Sequence, residues 1–244
     1  MDGEDDAVLT VAVLFPDLLG TYGDGGNATA LVARARARGV DVEVLEVTIG
    51  SVLPAASIYL LGGAEDGPQR LACDLLAENG FVQRVDEGAF VFAVCAGLQI
   101  LGTSFSIEGD ASYSGLGLVD AVTTRGAQRS VGDLATMVDG RLLVGFENHG
   151  GVTVLASGLE ALGDVVHGRG NDGRLDGYRA PRLWATYAHG PVLAQNPWLA
   201  DEVLQDVLGR ELAPWPSVAD RLYAERCERI STRRPDDGRT RRHH

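Results

Sequence analysis

The segment 90–101 constrains the fold most, because an apolar strand runs there into a helix with no loop between them. Residues 90–94 are all apolar and rich in β-branched and aromatic side chains, which is typical of a strand covered on both faces. After Cys95, apolar side chains alternate with Gly97 and Gln99, as in a short helix packed back on the sheet. A parallel sheet with flanking helices is the architecture that this unit favours.

Cys95 lies at the carboxyl end of the predicted strand, where a tight turn would lift its thiol clear of the backbone. In similar strand-to-helix elbows the amide after the nucleophile points at the developing oxyanion, and here that amide belongs to Ala96. The positive end of the helix dipole predicts a lowered pKa for the thiol. A buried structural cysteine is the alternative that the local sequence leaves open.

Strand and helix patterns alternate through the first hundred residues, which predicts successive βαβ units. Besides the strand at 90–94, the predicted strands are 8–15, 42–47 and 57–61, and the predicted helices are 27–38 and 69–78. Two glycine-containing loops, 16–26 and 61–67, then lie with Cys95 at the carboxyl edge of the sheet, where such sheets bind ligands.

The second half of the chain has a different sequence pattern, without the regular alternation of strands and helices. Short β-like segments at 117–124, 130–138 and 142–146, with Asp139-Gly140 as a hairpin turn, predict an antiparallel extension of the sheet. Helices are predicted at 197–209 and 217–229. The predicted organisation is an acidic N-terminal extension (1–6), one domain (7–231) and a disordered, charged tail (232–244).

Composition excludes several classes of function. The net charge of −13 argues against a nucleic-acid partner, and because all 21 basic residues are arginine, neither a P-loop lysine nor a Schiff-base lysine is available. Three well-separated cysteines give neither a disulfide framework nor a zinc site, so no metal is expected. An acidic start and the lack of an 18-residue apolar run predict a cytoplasmic protein that does not span a membrane.

A cysteine nucleophile needs a base, and histidine is the usual one. His149 and His189 each follow an apolar strand and precede a glycine, so sequence physics does not choose between them. His167 lies in a polar segment and has little to recommend it.

Four separated motifs, LLGGAED, VCAGLQILG, ENHGG and ATYAHGPVLAQNPWLAD, together resemble class I glutamine amidotransferases of the cobyric acid synthase-like group. The resemblance covers residues 8–209, and within the group it extends to the stand-alone glutaminase subunits of lipid II isoglutaminyl synthases. It implies a flavodoxin-like α/β fold with a mostly parallel central sheet, flanking helices and an antiparallel extension.

The resemblance also implies roles for individual residues. Cys95 would be the nucleophile, His189 the base, and the amides of Gly63 and Ala96 the oxyanion hole. The same likeness places Gln99 beside the substrate and Arg129 on the carboxylate of glutamine, although a surface ion pair is the alternative for Arg129.

One position departs from the broader class. Two residues after the catalytic histidine the class carries a glutamate, and here that position is Pro191. The third member of the catalytic group is therefore open, with Asp17 and Glu147 as candidates.

The resemblance implies a second protein that consumes the ammonia. Only about seven residues precede the first predicted strand, which favours a stand-alone subunit over a fused synthetase. The implied heterodimer partner is a Mur ligase-like synthetase, MurT, which would use ATP and Mg²⁺ to amidate the D-glutamate of lipid II in peptidoglycan synthesis, while this chain carries no cofactor. Two alternatives stay open: a glutaminase for another synthetase in cofactor or nucleotide biosynthesis, and a catalytically silent binding subunit.

Overall fold

The computed structural model describes residues 8–106 and 111–232. Its first sheet contains β1 (Leu9–Leu14), β2 (Val42–Val47), β3 (Ile58–Leu61), β4 (Phe90–Val94), β11 (Tyr178–Ala180) and β12 (Leu183–Thr186), in the spatial order β11-β12-β4-β3-β1-β2. All neighbours in this sheet are parallel except β11, which runs antiparallel to β12. The mostly parallel α/β architecture is confirmed.

The central strands are buried on both faces, which is why they consist almost wholly of apolar residues. Their covering helices are α1 (Pro16–Leu19), α2 (Gly26–Arg36), α3 (Asp66–Glu78), α4 (Phe81–Asp86), α5 (Ala96–Leu101), α6 (Val192–Gln195), α7 (Pro197–Leu208) and α8 (Val218–Thr232). Helix α2 packs on α6 and α7, and α3 packs on α1, α4 and α5. No helix in the described part of the chain has the length and apolar character needed to cross a membrane.

A second sheet accounts for most of the predicted β-like segments. It contains β5 (Ser104–Ser106), β6 (Ser112–Ser114), β7 (Ala121–Val138), β8 (Arg141–Leu155), β9 (Gly163–His167) and β10 (Leu175–Asp176), in the order β10-β9-β7-β5-β6 with β8 paired to β7. The prediction of one extended sheet was therefore wrong in part, since only β11 extends the first sheet antiparallel.

The β7–β8 hairpin joins this second sheet to the first. Its turn at Asp139-Gly140 is confirmed, and both residues have the positive φ (46° and 80°) of a primed hairpin turn. Phe146 on β8 exchanges backbone hydrogen bonds with His189, just beyond the end of β12. The hairpin is thereby held against the carboxyl edge of the first sheet.

The two ends of the chain fall outside this description. The predicted acidic extension (1–6) and residues 233–244 of the predicted tail lie outside the described residues. Helix α8 continues to Thr232, three residues further than the helix predicted at 217–229.

Candidate functional site

Cys95 occupies a strained elbow between β4 and α5. Its φ of 52° and ψ of −103° are uncommon for a residue with a side chain, and such strain concentrates at functional sites. Two contacts hold the turn: the Cys95 amide donates to Thr186 O at 2.9 Å, and the Gly97 amide donates to Gly62 O at 3.1 Å. A Cβ on Gly97 would lie 2.6 Å from Cβ of Leu61, so only glycine lets α5 approach β3 this closely.

His189 follows β12, the strand that pairs with β4, so it emerges at the same sheet edge as Cys95. Its side chain is fully buried between the rings of Tyr22 and Phe146, whose centroids lie 4.4 Å and 5.2 Å from the imidazole centroid. Nδ1 lies 3.1 Å from Oδ2 of Asp24, whereas Nε2 has no hydrogen-bond partner within the described chain. The imidazole is thus held in place with one nitrogen free.

Asp24, in the loop between α1 and α2, is the carboxylate that contacts His189. The two predicted candidates for this position do not contact it. Asp17 is exposed, with Oδ2 3.5 Å from the Ile49 amide. Glu147 points away from His189 toward His149, because β8 carries it to a different part of the site.

Gly63 lies against the Asp24–His189 pair rather than open to substrate. Its amide donates to Oδ2 of Asp24 at 2.9 Å, so the N–H that was predicted to hold an oxyanion already has a carboxylate partner. A Cβ at this position would come within 2.4 Å of Cε1 of His189 and 2.9 Å of Cδ2 of Tyr22. Glycine is therefore required here for the histidine to sit where it does.

The electrostatics at Cys95 differ from the sequence prediction. Burial raises the pKa of its thiol to about 12, and the Asp24 carboxylate acts in the same direction. The Ala96 amide and the Arg129 guanidinium favour the thiolate but do not outweigh desolvation. The prediction of a lowered pKa was therefore wrong. The dipole of the six-residue helix α5 stabilises the thiolate by less than complete burial destabilises it.

A cavity of about 380 Å³ opens beside Cys95 between the two sheets. One wall is the loop that leads from β3 into α3, and the other is formed by β7 and β8. The lining residues are Ala64, Glu65, Asp66, Gly67, Gln69, Cys95, Gln99, Ser106, Arg125, Arg129, Asn148, His149, Gly150 and Gly151. A cavity of this size, with charged groups on both walls, suits a small polar ligand.

Gln99 lines the cavity with its side chain already oriented. Its Oε1 accepts from Nε2 of Gln69 at 2.9 Å, and its Nε2 donates to the Tyr187 hydroxyl at 3.1 Å. Its predicted position beside the substrate stays a prediction. Both ends of the amide are engaged with protein, so Gln99 shapes the wall.

Arg129 also lines the cavity, and its side chain is half exposed. Its guanidinium donates to Oδ1 of Asn148 at 2.6 Å and to the Tyr22 hydroxyl at 3.1 Å, and it forms an ion pair with Glu65 at 3.5 Å. The ion pair predicted for Arg129 is therefore present, and its contact with the carboxylate of glutamine stays a prediction.

The structure separates the two histidines that the sequence left equal. Both ring nitrogens of His149 are engaged: Nδ1 lies 3.0 Å from Gly151 O and Nε2 lies 3.1 Å from Oε2 of Glu147. Its ring also stacks on Tyr187 at 3.8 Å between centroids. His189 alone of the pair keeps an unpartnered nitrogen, which a general base requires.

Comparisons with known proteins identify the family of this chain. A family model described as a CobB/CobQ-like glutamine amidotransferase domain matches residues 10–197. The GatD subunit of lipid II isoglutaminyl synthase (glutamine-hydrolyzing) from Staphylococcus aureus is 33% identical over 85% of this chain and 87% of its own length. The corresponding GatD from Streptococcus pneumoniae is 30% identical over 94% of this chain and 93% of its own length.

More distant matches help to define the group. Cobyric acid synthase from Pelotomaculum thermopropionicum is 30% identical over 78% of this chain, which corresponds to only 38% of that enzyme. Among solved structures, a glutamine amidotransferase aligns with a TM-score of 0.56 at 23% identity, covering 81% of this chain and 98% of the other. PurLQS from Thermotoga maritima aligns with the same TM-score at 16% identity over 83% of this chain and 98% of the other, so these structures support the fold alone.

Proposed function

This chain belongs to the CobB/CobQ-like glutamine amidotransferase family, and on that premise we propose that it is the glutaminase subunit of a lipid II isoglutaminyl synthase. The observation that carries the proposal is the similarity to GatD subunits along most of this chain. The GatD relatives from Staphylococcus aureus and Streptococcus pneumoniae are 33% and 30% identical over 85% and 94% of it. This likeness supports an ammonia-producing role.

The chemistry assigned to the site is hydrolysis of the carboxamide of glutamine. The Cys95 thiol passes its proton to Nε2 of His189 as its sulfur attacks the carboxamide carbon, and the Ala96 amide stabilises the resulting oxyanion. His189 returns the proton to the departing nitrogen, which leaves as ammonia. Water then hydrolyses the thioester to glutamate and regenerates the thiol.

Asp24 takes the third position in this scheme. Its carboxylate accepts a hydrogen bond from Nδ1–H of His189, which fixes the tautomer and leaves Nε2 as the base. The raised pKa of Cys95 makes this base necessary, because the thiol is neutral at physiological pH and has to lose its proton as it attacks. Gly63 can join Ala96 in the oxyanion hole only by giving up its hydrogen bond to Asp24.

Substrate recognition falls to the cavity walls. The Arg129 guanidinium is assigned to the α-carboxylate of glutamine, for which its planar, always charged group is well suited. Gln99, held by Gln69 and Tyr187, forms the wall next to Cys95.

The partner we propose is MurT, a Mur ligase-like synthetase that would bind ATP and Mg²⁺ and use the ammonia to amidate lipid II. The two chains would act together in the cytoplasm, where ATP is available. The names of the GatD relatives, which describe a subunit of a glutamine-hydrolysing synthase, support an assembly of this kind.

The experiment is affinity purification of the tagged chain from its native cells, followed by glutaminase and lipid II amidation assays on the isolated complex. We expect a Mur ligase-like chain in the complex, and we expect glutamate release to require Cys95. A Cys95→Ala variant provides the matched inactive control, with activity lowered by on the order of a thousandfold or more. Recovery of a synthetase from cofactor or nucleotide biosynthesis instead would contradict the proposed partner.

A further inference from the structure

The cavity beside Cys95 has walls of opposite charge. Arg125 and Arg129 from β7 line one side, and Glu65 and Asp66 from the start of α3 line the other. The two walls meet where the Arg129 guanidinium lies 3.5 Å from Oε1 of Glu65. The reaction assigned above gives a role to the guanidinium and none to the carboxylate.

Glu65 is not explained by the helix that it precedes. It occupies the N-cap position of α3, yet its side chain makes no capping hydrogen bond. Instead Oε1 accepts from the Tyr22 hydroxyl at 2.8 Å. Burial, followed by the contact with Glu65, raises the pKa of Tyr22 to about 12, so the hydroxyl stays protonated and keeps orienting the carboxylate.

The ion pair between Arg129 and Glu65 contributes little to the stability of the fold. The two side chains are 48% and 58% exposed, and ion pairs of this kind add little to stability. A ligand that carries both charges can therefore replace it at low cost. An amino acid with free α-groups is such a ligand, because its carboxylate complements a guanidinium and its ammonium complements a carboxylate.

We propose that Glu65, oriented by the Tyr22 hydroxyl, binds the α-ammonium of L-glutamine and makes the site selective for the free amino acid. This inference rests on the proposed glutaminase function and deepens it. Glutamine whose α-nitrogen is acylated, as in a peptide, carries no charge there and loses this interaction. The site thereby discriminates against glutamine side chains within proteins.

Calorimetric binding to the full-length Cys95→Ser chain, which cannot turn over the substrate, tests the proposal with L-glutamine and Nα-acetyl-L-glutamine as probes. We expect L-glutamine to bind at least tenfold more tightly than the acetylated probe. Adding Glu65→Gln should weaken L-glutamine binding by about tenfold or more, the range for one charge-assisted hydrogen bond, and leave the acetylated probe unchanged. The matched control is Glu87→Gln, which removes a similarly exposed carboxylate paired with Arg84 on α4.

Kinetics on the chain with Cys95 intact provide a second readout. Glu65→Gln should raise KM for L-glutamine at least tenfold with little change in kcat, since the contact is to a group that does not react. An unchanged ratio between the two probes in the Glu65→Gln chain would overturn the role of Glu65 while leaving the glutaminase function intact. Absence of any L-glutamine binding to the Cys95→Ser chain would instead refute the proposed function, and the present inference with it.

Discussion

At the scale of single residues, Asp24 has the most testable position in the site. It contacts Nδ1 of His189 and the amide of Gly63 through the same oxygen. Asp24→Asn keeps the size of the side chain but removes the negative charge that favours one tautomer and stabilises the protonated ring. We expect kcat for glutamine hydrolysis to fall by about a hundredfold to ten-thousandfold in a steady-state assay.

Asp17→Asn is the matched control, because Asp17 lies in the neighbouring helix α1, is exposed, and accepts from the Ile49 amide rather than from His189. Its kcat should stay within about twofold of the unmodified chain. Equal losses in the two variants would show that both carboxylates act through folding and that Asp24 has no special relation to the histidine.

The thiol of Cys95 gives a pH prediction. Because burial raises its pKa to about 12, the thiol is neutral at pH 7. Because the thiolate is the form that reacts, the rate of alkylation of Cys95 by iodoacetamide should rise about tenfold per pH unit from pH 7 to 10. Mass spectrometry of the Cys95 peptide measures this rate, and a plateau below pH 8 would contradict the buried, neutral thiol.

The same residues show how far a sequence can predict a site. Cys95 and His189 could be proposed because each stands directly after an apolar strand, a local pattern. Asp24 could not be singled out, because its partner is 165 residues away and the neighbouring glycines are typical of a turn. The raised pKa of Cys95 was also out of reach, since burial is set by residues from many elements packing together.

At the scale of elements, the fit of α5 against β3 positions the elbow. A Cβ at Gly97 would lie 2.6 Å from Cβ and 3.1 Å from the carbonyl oxygen of Leu61. Gly97→Ala should therefore push the helix off the sheet and lower the free energy of unfolding by about 1–3 kcal/mol. Chemical denaturation measures the loss, and glutaminase activity should fall with it because Cys95 precedes the displaced helix.

Gly67→Ala serves as the comparison, because nothing lies within 4 Å of a Cβ there and the residue is in the first turn of α3. We expect this variant to be as stable as the original or slightly more so. A Gly97→Ala chain as stable as Gly67→Ala would mean that α5 can shift without cost.

A helix or strand could be predicted from the sequence where all of its residues share one packing environment. Strands β2 and β4 have the predicted bounds. Each strand begins and ends where its side-chain pattern does, and that pattern is alternating in β2 and wholly apolar in β4. The β7–β8 hairpin was predicted only in pieces, because exposed and buried residues alternate irregularly around a register shift between Arg125 and Ser130. Its place in the second sheet depends on the pairing of β7 with β5 and β9, and its position against the first sheet depends on the contact with His189; no local pattern carries that information.

At the scale of the whole molecule, a buried arginine ties the C-terminal helices to the helix that supports the site. Arg34 on α2 is 6% exposed and donates to both carboxylate oxygens of Asp201 on α7, at 2.6 Å and 2.5 Å. It also forms an ion pair with Asp220 on α8 at 3.4 Å. Helix α2 begins at Gly26, where a Cβ would lie 2.3 Å from Cγ of Pro191, so its position is coupled to the loop that carries His189.

Arg34→Met should therefore weaken the fold and the site together. Asp201 keeps Arg38 as a partner at 2.8 Å, so we expect a loss of about 2–4 kcal/mol, somewhat less than for a fully orphaned buried charge. Thermal unfolding should show a Tm lower by several degrees, and glutaminase activity should be lost at a correspondingly lower temperature. Arg84→Met, which removes a partly exposed arginine paired with Glu87, should leave both temperatures unchanged, and equal shifts in the two variants would refute the anchoring role of Arg34.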